Sequence, residues 1–169
     1  MLTHVSAANR PSMVDVGDKA VTTRTARARA LVTFPRGVLD HDGEGPDSKR
    51  GLPRTKKGPV VDTAIVAGVL AAKQTHHLIP FCHPIPLEDC AIEVDWNEAG
   101  ELVIDCSVRA THKTGVEMEA LTGAAAAALT VYDMCKSLSH GIRIRDVRLV
   151  AKSGGKSDFD ADERPPRAE

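Results

Sequence analysis

Four stretches of this chain alternate apolar and polar residues at every second position, and two long stretches between them repeat at helical spacing. That order constrains the fold more than any other feature. Ala20–Phe34 puts Ala26, Ala28, Ala30, Val32 and Phe34 on one face and Arg27 and Arg29 on the other, as a half-buried strand requires. Arg24 falls in the register of the buried face, at its end. Leu87–Trp96 sets Cys90, Ile92, Val94 and Trp96 against Asp89, Glu93 and Asp95, and Glu101–Ala110 turns Leu102, Ile104, Cys106 and Val108 inward. Asn97-Glu98-Ala99-Gly100 between them reads as a hairpin turn. Ile142–Ala151 is the fourth strand, with an inward register that changes near Asp146, as a bulge would produce. Val60–His77 carries Val61, Ile65, Val69 and Ala72 at helical spacing and is apolar on most sides, which implies cover from more than one direction. Gly115–Leu138 is a long helix dense in alanine. The succession predicts an α+β fold, the ferredoxin-like β-α-β-β-α-β sandwich, with an antiparallel sheet and two main helices. That architecture serves many functions and selects none.

At 169 residues the chain is sized for one domain, expected over residues 1–159. Pro35–Pro59, nine of whose 25 residues are Gly or Pro, is an irregular loop. Its basic end, Arg54-Thr55-Lys56-Lys57-Gly58, is either an arm that reaches an anion or a solvated surface. From Asp158 on, five acids, two bases and Pro165-Pro166 cannot build a core, so residues 160–169 are expected to form a disordered acidic tail. A net charge of −1 and 3% aromatics argue against a nucleic-acid partner. No apolar run is long enough to span a bilayer, and MLTHVSAANRPSMVDVGDK lacks the apolar core of a secretory signal. Cys82, Cys90, Cys106 and Cys135 have no C-x-x-C spacing, so reduced thiols and a cytoplasmic location are expected.

Three segments carry residues suited to chemistry. Thr114-Gly115-Val116-Glu117 reads as a capping box, in which Glu117 returns a hydrogen bond to the helix start. Further along, Glu119, Thr122, Thr130, Asp133 and Ser137 fall within an arc of roughly 80°, with Lys136 nearby; this is either a solvated face or a site. Glu119 and Asp133 are 14 residues apart, which is about 21 Å of helix, so they cannot serve one reacting centre in one subunit. Either they belong to separate sites or a symmetric oligomer brings the two ends together. In IPFCHPIPL, Pro80, Pro84 and Pro86 stiffen a loop presenting Cys82 and His83, which point to opposite sides and make a poor thiolate–imidazole dyad. His83 can be a structural hydrogen-bonding residue or a ligand group. His76, His77, Cys82 and His83 match no common zinc spacing, and no metal site is assigned. Ser153-Gly154-Gly155-Lys156-Ser157 ends like a phosphate loop but has Val150 where that motif needs glycine, leaving a glycine-rich turn flanked by Lys152 and Lys156. Such a turn either binds an anion through backbone N–H groups or is a flexible exit from the strand.

Taken together, KTGVEMEALTGAAAAALTVYDMCKSL, HLIPFCHPIPL, VRLVAKSGGKSDF and MVDVGDKAVTTRTARA resemble the signature blocks of the MoaC family, the cyclic pyranopterin monophosphate synthases of molybdenum-cofactor biosynthesis. The resemblance runs from about Leu2 to Phe159. It implies a lyase that converts 3′,8-cyclised dihydro-GTP to cyclic pyranopterin monophosphate with release of pyrophosphate. It also implies a homohexamer, a trimer of dimers, with sites between subunits. The alternative is a catalytically silent relative that only binds a nucleotide. Carried over by position, the catalytic residues are Asp133 and Lys136 of YDMCK and Lys57 ahead of the first helix. Phe81, Cys82, His83, Met118 and Glu119 contact substrate, and Glu117, Lys152 and Arg24 line the pocket. No cofactor is required; Mg²⁺ accompanying the triphosphate is physically plausible.

Two departures stand out. Val38–Thr55 is polar and glycine-rich where the family carries an apolar, mostly helical segment. Lys-Gly-Asp-Val of the family becomes Lys57-Gly58-Pro59-Val60, with Lys56 adjacent, so the loop lysine is one of these two. The residue types suit the chemistry: a lysine crowded by cations or desolvated has a lowered pKa and can exchange protons, and Asp133 can orient Lys136 or take a proton. Arg24, Lys152 and Lys156 can neutralise the charge of a departing pyrophosphate.

Overall fold

The computed structural model describes residues 10–39, 52 and 54–161. Chain order is β1 (Thr22–Thr33), β2 (Arg54–Thr55), β3 (Gly58–Pro59), α1 (Val60–Lys73), α2 (Thr75–Leu78), β4 (Asp89–Trp96), β5 (Leu102–His112), α3 (Glu117–Cys135), β6 (Arg143–Ser153) and β7 (Phe159–Asp160). The main sheet is antiparallel with strand order β4-β5-β1-β6-β7. Stripped of β7, that is the order of a ferredoxin-like sandwich: the two outer connections carry α1 and α3, and the β4–β5 connection is a hairpin. The hairpin closes where expected, with Asn97 N–H donating to the Glu101 oxygen at 3.0 Å.

The alternation in β1 sorts its side chains as the period of two demands. Ala26, Ala28, Ala30 and Val32 are buried under the helices, where they meet Leu102, Ile104, Cys106 and Val108 of β5. On the open face Arg29 makes a two-point pair with Asp105 at 2.8 and 2.7 Å. Small residues let the helices come down close to the sheet and to each other. A Cβ on Gly123 would stand 2.6 Å from Cys106 Sγ, and one on Gly68 would stand 2.9 Å from the Gly123 carbonyl oxygen, so α1 and α3 cross backbone to backbone. The inward side of α1 buries Val61, Ala64, Gly68 and Ala72. Its outward side leaves Val66 60% and Leu70 57% exposed, so the described residues do not supply the second cover that its apolar girth implies.

The bulge near Asp146 is present. Asp146 sits at φ 56°, and Leu31 pairs with Arg145 while Arg29 pairs with Arg148, which leaves one extra residue on β6. The first helical segment is broken at Gln74 into α1 and α2. The end of the irregular loop is ordered: Arg54–Thr55 and Gly58–Pro59 pair as a small hairpin with Lys56 and Lys57 at its tip. Residues 40–51 and 53, the bulk of that loop, lie outside the described residues. At the other end Asp160, the first residue of the expected tail, pairs with Ala151, and residues 162–169 lie outside the described residues.

Candidate active site

The expected site residues gather at the two ends of α3, in two clusters. At its start, loops from four parts of the chain enclose a cavity of about 510 Å³. Helix α3 contributes Glu117, Met118 and Glu119; the segment after α2 contributes Phe81, Cys82 and His83; β1 and β6 contribute Arg24 and Lys152. The five residues carried over as substrate contacts and the three carried over as pocket-lining therefore surround one space.

Local structure fixes each of them. The Cys82 N–H donates to the Ile79 oxygen at 3.0 Å, turning the proline-stiffened chain so that Phe81 stays 39% exposed at the mouth. Arg24 is held by the carbonyl oxygens of His112 and Lys113, at 3.4 and 3.5 Å. Behind it, Gly154 at φ 81° brings the glycine turn so close to β1 that a Cβ there would lie 1.9 Å from the Thr23 oxygen. The Ser153-Gly154-Gly155 turn is thus packed against β1, which differs from a flexible exit, and it delivers Lys156 to the cavity wall.

The capping box is not formed. Val116 is the N-cap of α3 with no side-chain cap, and the Glu117 carboxylate instead receives Lys152 Nζ at 3.1 Å. An ammonium on the neighbouring strand outcompetes a neutral backbone N–H for that carboxylate. Glu119 is only 4% exposed, which separates it from the solvated stripe that its spacing allowed. Burial pushes its carboxyl up to about 7, with the nearby Glu117 charge acting the same way and its own backbone N–H opposing. Cys82 is also raised, by burial first and by Glu119 second, so its thiol is not an activated nucleophile. His83 Nε2 lies 3.0 Å from the Val14 oxygen, away from Cys82's chemistry.

At the other end of α3, Asp133 is clasped by two lysines. Lys57 Nζ lies 2.6 Å from Asp133 Oδ2 and 3.1 Å from the Asp133 carbonyl oxygen, and Lys136 Nζ lies 2.8 Å from Oδ1. The loop lysine that reaches Asp133 is Lys57, at the tip of the β2–β3 hairpin; its N–H is steadied by Thr55 Oγ1 at 3.2 Å. The hydrogen bond from Lys136, and then that from Lys57, lower Asp133 to about 2. Lys136 moves the opposite way from the expected lowering: the hydrogen bond and charge of Asp133 raise it, because its neighbour is an anion, and desolvation opposes this only weakly. All three side chains are about half exposed, at 51–53%.

Sequence reasoning missed Val14, Val16 and Lys19, which form a further wall of the cavity. The signal was present in the alternation of Ser12, Val14 and Val16, too short to stand out against the stronger strands. His76, His77, Cys82 and His83 are not brought together: among the described residues no three His, Cys, Asp or Glu side chains are placed to hold a metal ion. Among the same residues no helix is long and apolar enough to cross a membrane.

The chain is similar to several known proteins over most of its length. A cyclic pyranopterin monophosphate synthase of Xanthomonas campestris pv. campestris (strain B100) is 54% identical over 160 residues, covering 95% of this chain and 93% of the relative. Molybdenum cofactor biosynthesis protein 1 of Dictyostelium discoideum is 49% identical over 157 residues, 87% of this chain but 25% of that protein. A molybdenum cofactor biosynthesis bifunctional protein of Synechocystis sp. is 42% identical over 162 residues, 94% of this chain and 45% of that protein. The family model described as MoaC family matches residues 13–155, and the chain belongs to that family.

Proposed function

We propose that this protein is a cyclic pyranopterin monophosphate synthase acting in molybdenum-cofactor biosynthesis. Its substrate is 3′,8-cyclised 7,8-dihydro-GTP and its products are cyclic pyranopterin monophosphate and pyrophosphate. The observation that carries this reading is the pairing of Lys57 and Lys136 on Asp133, a juxtaposition of residues 76 positions apart that a merely nucleotide-binding relative has no need to keep. The cavity at the start of α3 supports it from the substrate's side. Its volume of about 510 Å³ lies within the range of small-molecule sites. Its wall carries Lys19, Arg24, Lys152 and Lys156, four cations against a triphosphate of about four negative charges.

In the ring closure, a substrate hydroxyl oxygen bonds to the α-phosphorus, the α–β bridging P–O bond breaks, and the pair of electrons leaves with pyrophosphate. The hydroxyl proton passes to a base. The cations stabilise the departing diphosphate as its charge develops. Asp133 stays ionised at any physiological pH and holds both ammonium groups in place, so the lysines enter the reaction as proton donors to the rearranging ring and Asp133 as their organiser. Glu119, titrating near 7, is suited to exchange a proton with the bound ring system. Any Mg²⁺ enters with the triphosphate, as part of the substrate.

The two clusters lie about 21 Å apart along one helix. We therefore place the complete site between subunits, with the start of α3 from one copy facing Asp133 of the next, in a hexamer built as a trimer of dimers. Val66, Leu70 and Leu129, each 57–60% exposed on the helical layer, support a surface that other copies cover. The four free cysteines fit a cytoplasmic location.

Subunit complementation tests the shared site. Glu119→Ala and Asp133→Asn proteins, each inactive alone on the cyclised nucleotide, are mixed in equal amounts after reversible dissociation. Random reassembly leaves about one site in four with both halves intact, so about a quarter of wild-type turnover is expected. No recovery from a mixture shown to have exchanged subunits overturns the shared site, and a wild-type protein without turnover overturns the enzyme.

A further inference from the structure

Two of the four free cysteines meet on adjacent strands under the helical layer, and neither is a wall of the cavity at the start of α3. Cys90 of β4 stands opposite Val108, and Cys106 of β5 stands opposite Ile92. The two are therefore diagonal neighbours on one face, two residues out of step, and their thiols share a hydrogen bond. Cys106 is fully buried, while Cys90 is only half-buried. Near Cys90 stand the charges of Lys73, from the last turn of α1, and of its neighbour Asp89.

The two sulfurs are not equivalent. The hydrogen bond from Cys106 lowers Cys90, with the Lys73 charge acting the same way and burial and Asp89 opposing. Cys106 moves the other way, because its proton is held in the shared hydrogen bond and burial disfavours a thiolate there. The remaining cysteines, Cys82 and Cys135, are both raised by burial. Cys90 is thus the sulfur that ionises most readily, and an oxidant in solution can reach it. A diagonal pair has Cα atoms about 7–8 Å apart, slightly beyond the span of up to about 6.8 Å that a relaxed disulfide bridges. Strand β4 is at the sheet edge and held on one side only, so it can be drawn toward β5. A bond closed at that cost is readily reduced again, which suits a reversible modification and not a structural bridge.

We propose that Cys90 and Cys106 form a redox-reactive dithiol, a modification site for hydroperoxides, with Cys90 as the attacking sulfur and Cys106 as the resolving one. The Cys90 thiolate attacks a peroxide oxygen, the O–O bond breaks, and the other oxygen leaves as an alkoxide or hydroxide that takes up a proton. Cys106 then attacks the sulfenic acid on Cys90, an S–S bond forms, and the hydroxyl departs as water with the Cys106 proton. In all, the two sulfurs give up two electrons and the peroxide gains them.

The test treats the intact protein with hydrogen peroxide and follows free thiols, intact mass and, after alkylation, the peptides released by a glutamate-specific protease. Glu93, Glu98 and Glu101 lie between the two cysteines, and Glu88 separates Cys82 from Cys90, so only a bridge keeps these fragments joined. Wild type is expected to lose two thiols and about 2 Da, with the Cys90 and Cys106 fragments joined, and dithiothreitol is expected to restore both thiols. Cys90→Ser is expected to slow loss of the Cys106 thiol at least about tenfold. Cys106→Ala is expected to stop at a sulfenic acid on Cys90, labelled by dimedone. Cys90→Ser changes a half-exposed position, so the test holds even where Cys106→Ala does not fold. Four thiols retained in wild type overturn the assignment, as do a bridge to Cys82 or Cys135, a bridge between chains, or a Cys106 thiol lost equally fast in Cys90→Ser. None of these readouts needs turnover of the cyclised nucleotide, so the dithiol and the proposed reaction are judged separately.

Discussion

The two ends of α3 carry carboxyl groups in opposite circumstances. Glu119, at the start, is closed in by the cavity wall, and burial raises it to about 7. Asp133, near the end, stands in the open between two ammonium groups, which hold it at about 2. One helix thus presents a carboxyl that keeps or gives a proton near neutrality and another that never carries one. Environment, not residue type, separates the roles. The start of α3 lies in a cavity walled by several segments of one chain. The far end is assembled but left open by the described residues.

The sharpest way to break this contrast is at Asp133. Asp133→Asn is expected to lower turnover of the cyclised nucleotide by about 10²–10⁴, because both lysines lose the charge that organises them. The same variant should melt within about a degree of wild type, since an exposed ion pair contributes little to stability. Asp133 is ionised throughout the working range, so the acidic limb of the wild-type pH–rate profile should show no group near 2. Lys136→Ala with wild-type turnover would remove that lysine from the mechanism.

Glu119 should behave in the reverse manner, with a signature in stability. Its folded pKa lies above the ordinary value of 4.5. Below about pH 4.5 the carboxyl is protonated in both folded and unfolded chains and imposes no penalty. Between 4.5 and about 7 the unfolded chain releases the proton while the folded one retains it, so stability falls with rising pH, and above 7 the loss is complete. The shift corresponds to about 3 kcal/mol. Urea unfolding from pH 4 to 8 should therefore show wild type losing stability relative to Glu119→Gln across that window. A constant difference between the two proteins would mean that Glu119 is not desolvated.

Both ends depend on the middle of the helix staying close to the sheet. Gly123→Val forces branched bulk into the space already taken by Cys106 Sγ and the Gly68 backbone, and is expected to cost about 1–3 kcal/mol in thermal or urea unfolding. Unchanged stability would show that α1 and α3 can move apart at no cost, and the fixed spacing of the two ends would lose its basis.

The fold was legible because period-two and period-3.6 patterns are carried by many residues at once. Four strands and two helices follow from them, and even the bulge at Asp146 left a trace in the inward register. The site was legible only in part. Spacing alone located the 21 Å gap between Glu119 and Asp133, but it did not reveal which carboxyl is buried, since that depends on segments remote in sequence. Glu117 shows the same limit: its position beside Thr114 suggests a cap, and only the β6 neighbour Lys152 redirects it. Residues 14–19 line the cavity with little sequence signal, because two valines make a weak pattern and the side chains that meet this segment's carbonyl groups, His83 and Lys113, lie far along the chain. Lys57 was ambiguous with Lys56 until the hairpin at Arg54–Pro59 set one of them against Asp133.

The Glu117–Lys152 pair offers the smallest effect and a discriminating one. At 3.1 Å, with side chains 31% and 32% exposed, it is worth about 0.5 kcal/mol in a double-mutant cycle of Glu117→Gln and Lys152→Met. Its larger consequence is for the anion that enters the cavity. Lys152 divided between Glu117 and a diphosphate binds the diphosphate less tightly than a free lysine would. Glu117→Gln should therefore strengthen pyrophosphate binding, while Lys152→Met weakens it. Opposite signs would make the pair a competitor that product must displace, unlike the Asp133 cluster, where removing the carboxylate disables the lysines. Should Glu117→Gln weaken pyrophosphate instead, the carboxylate is positioning Lys152 for the anion, and the two ends of α3 work by one rule.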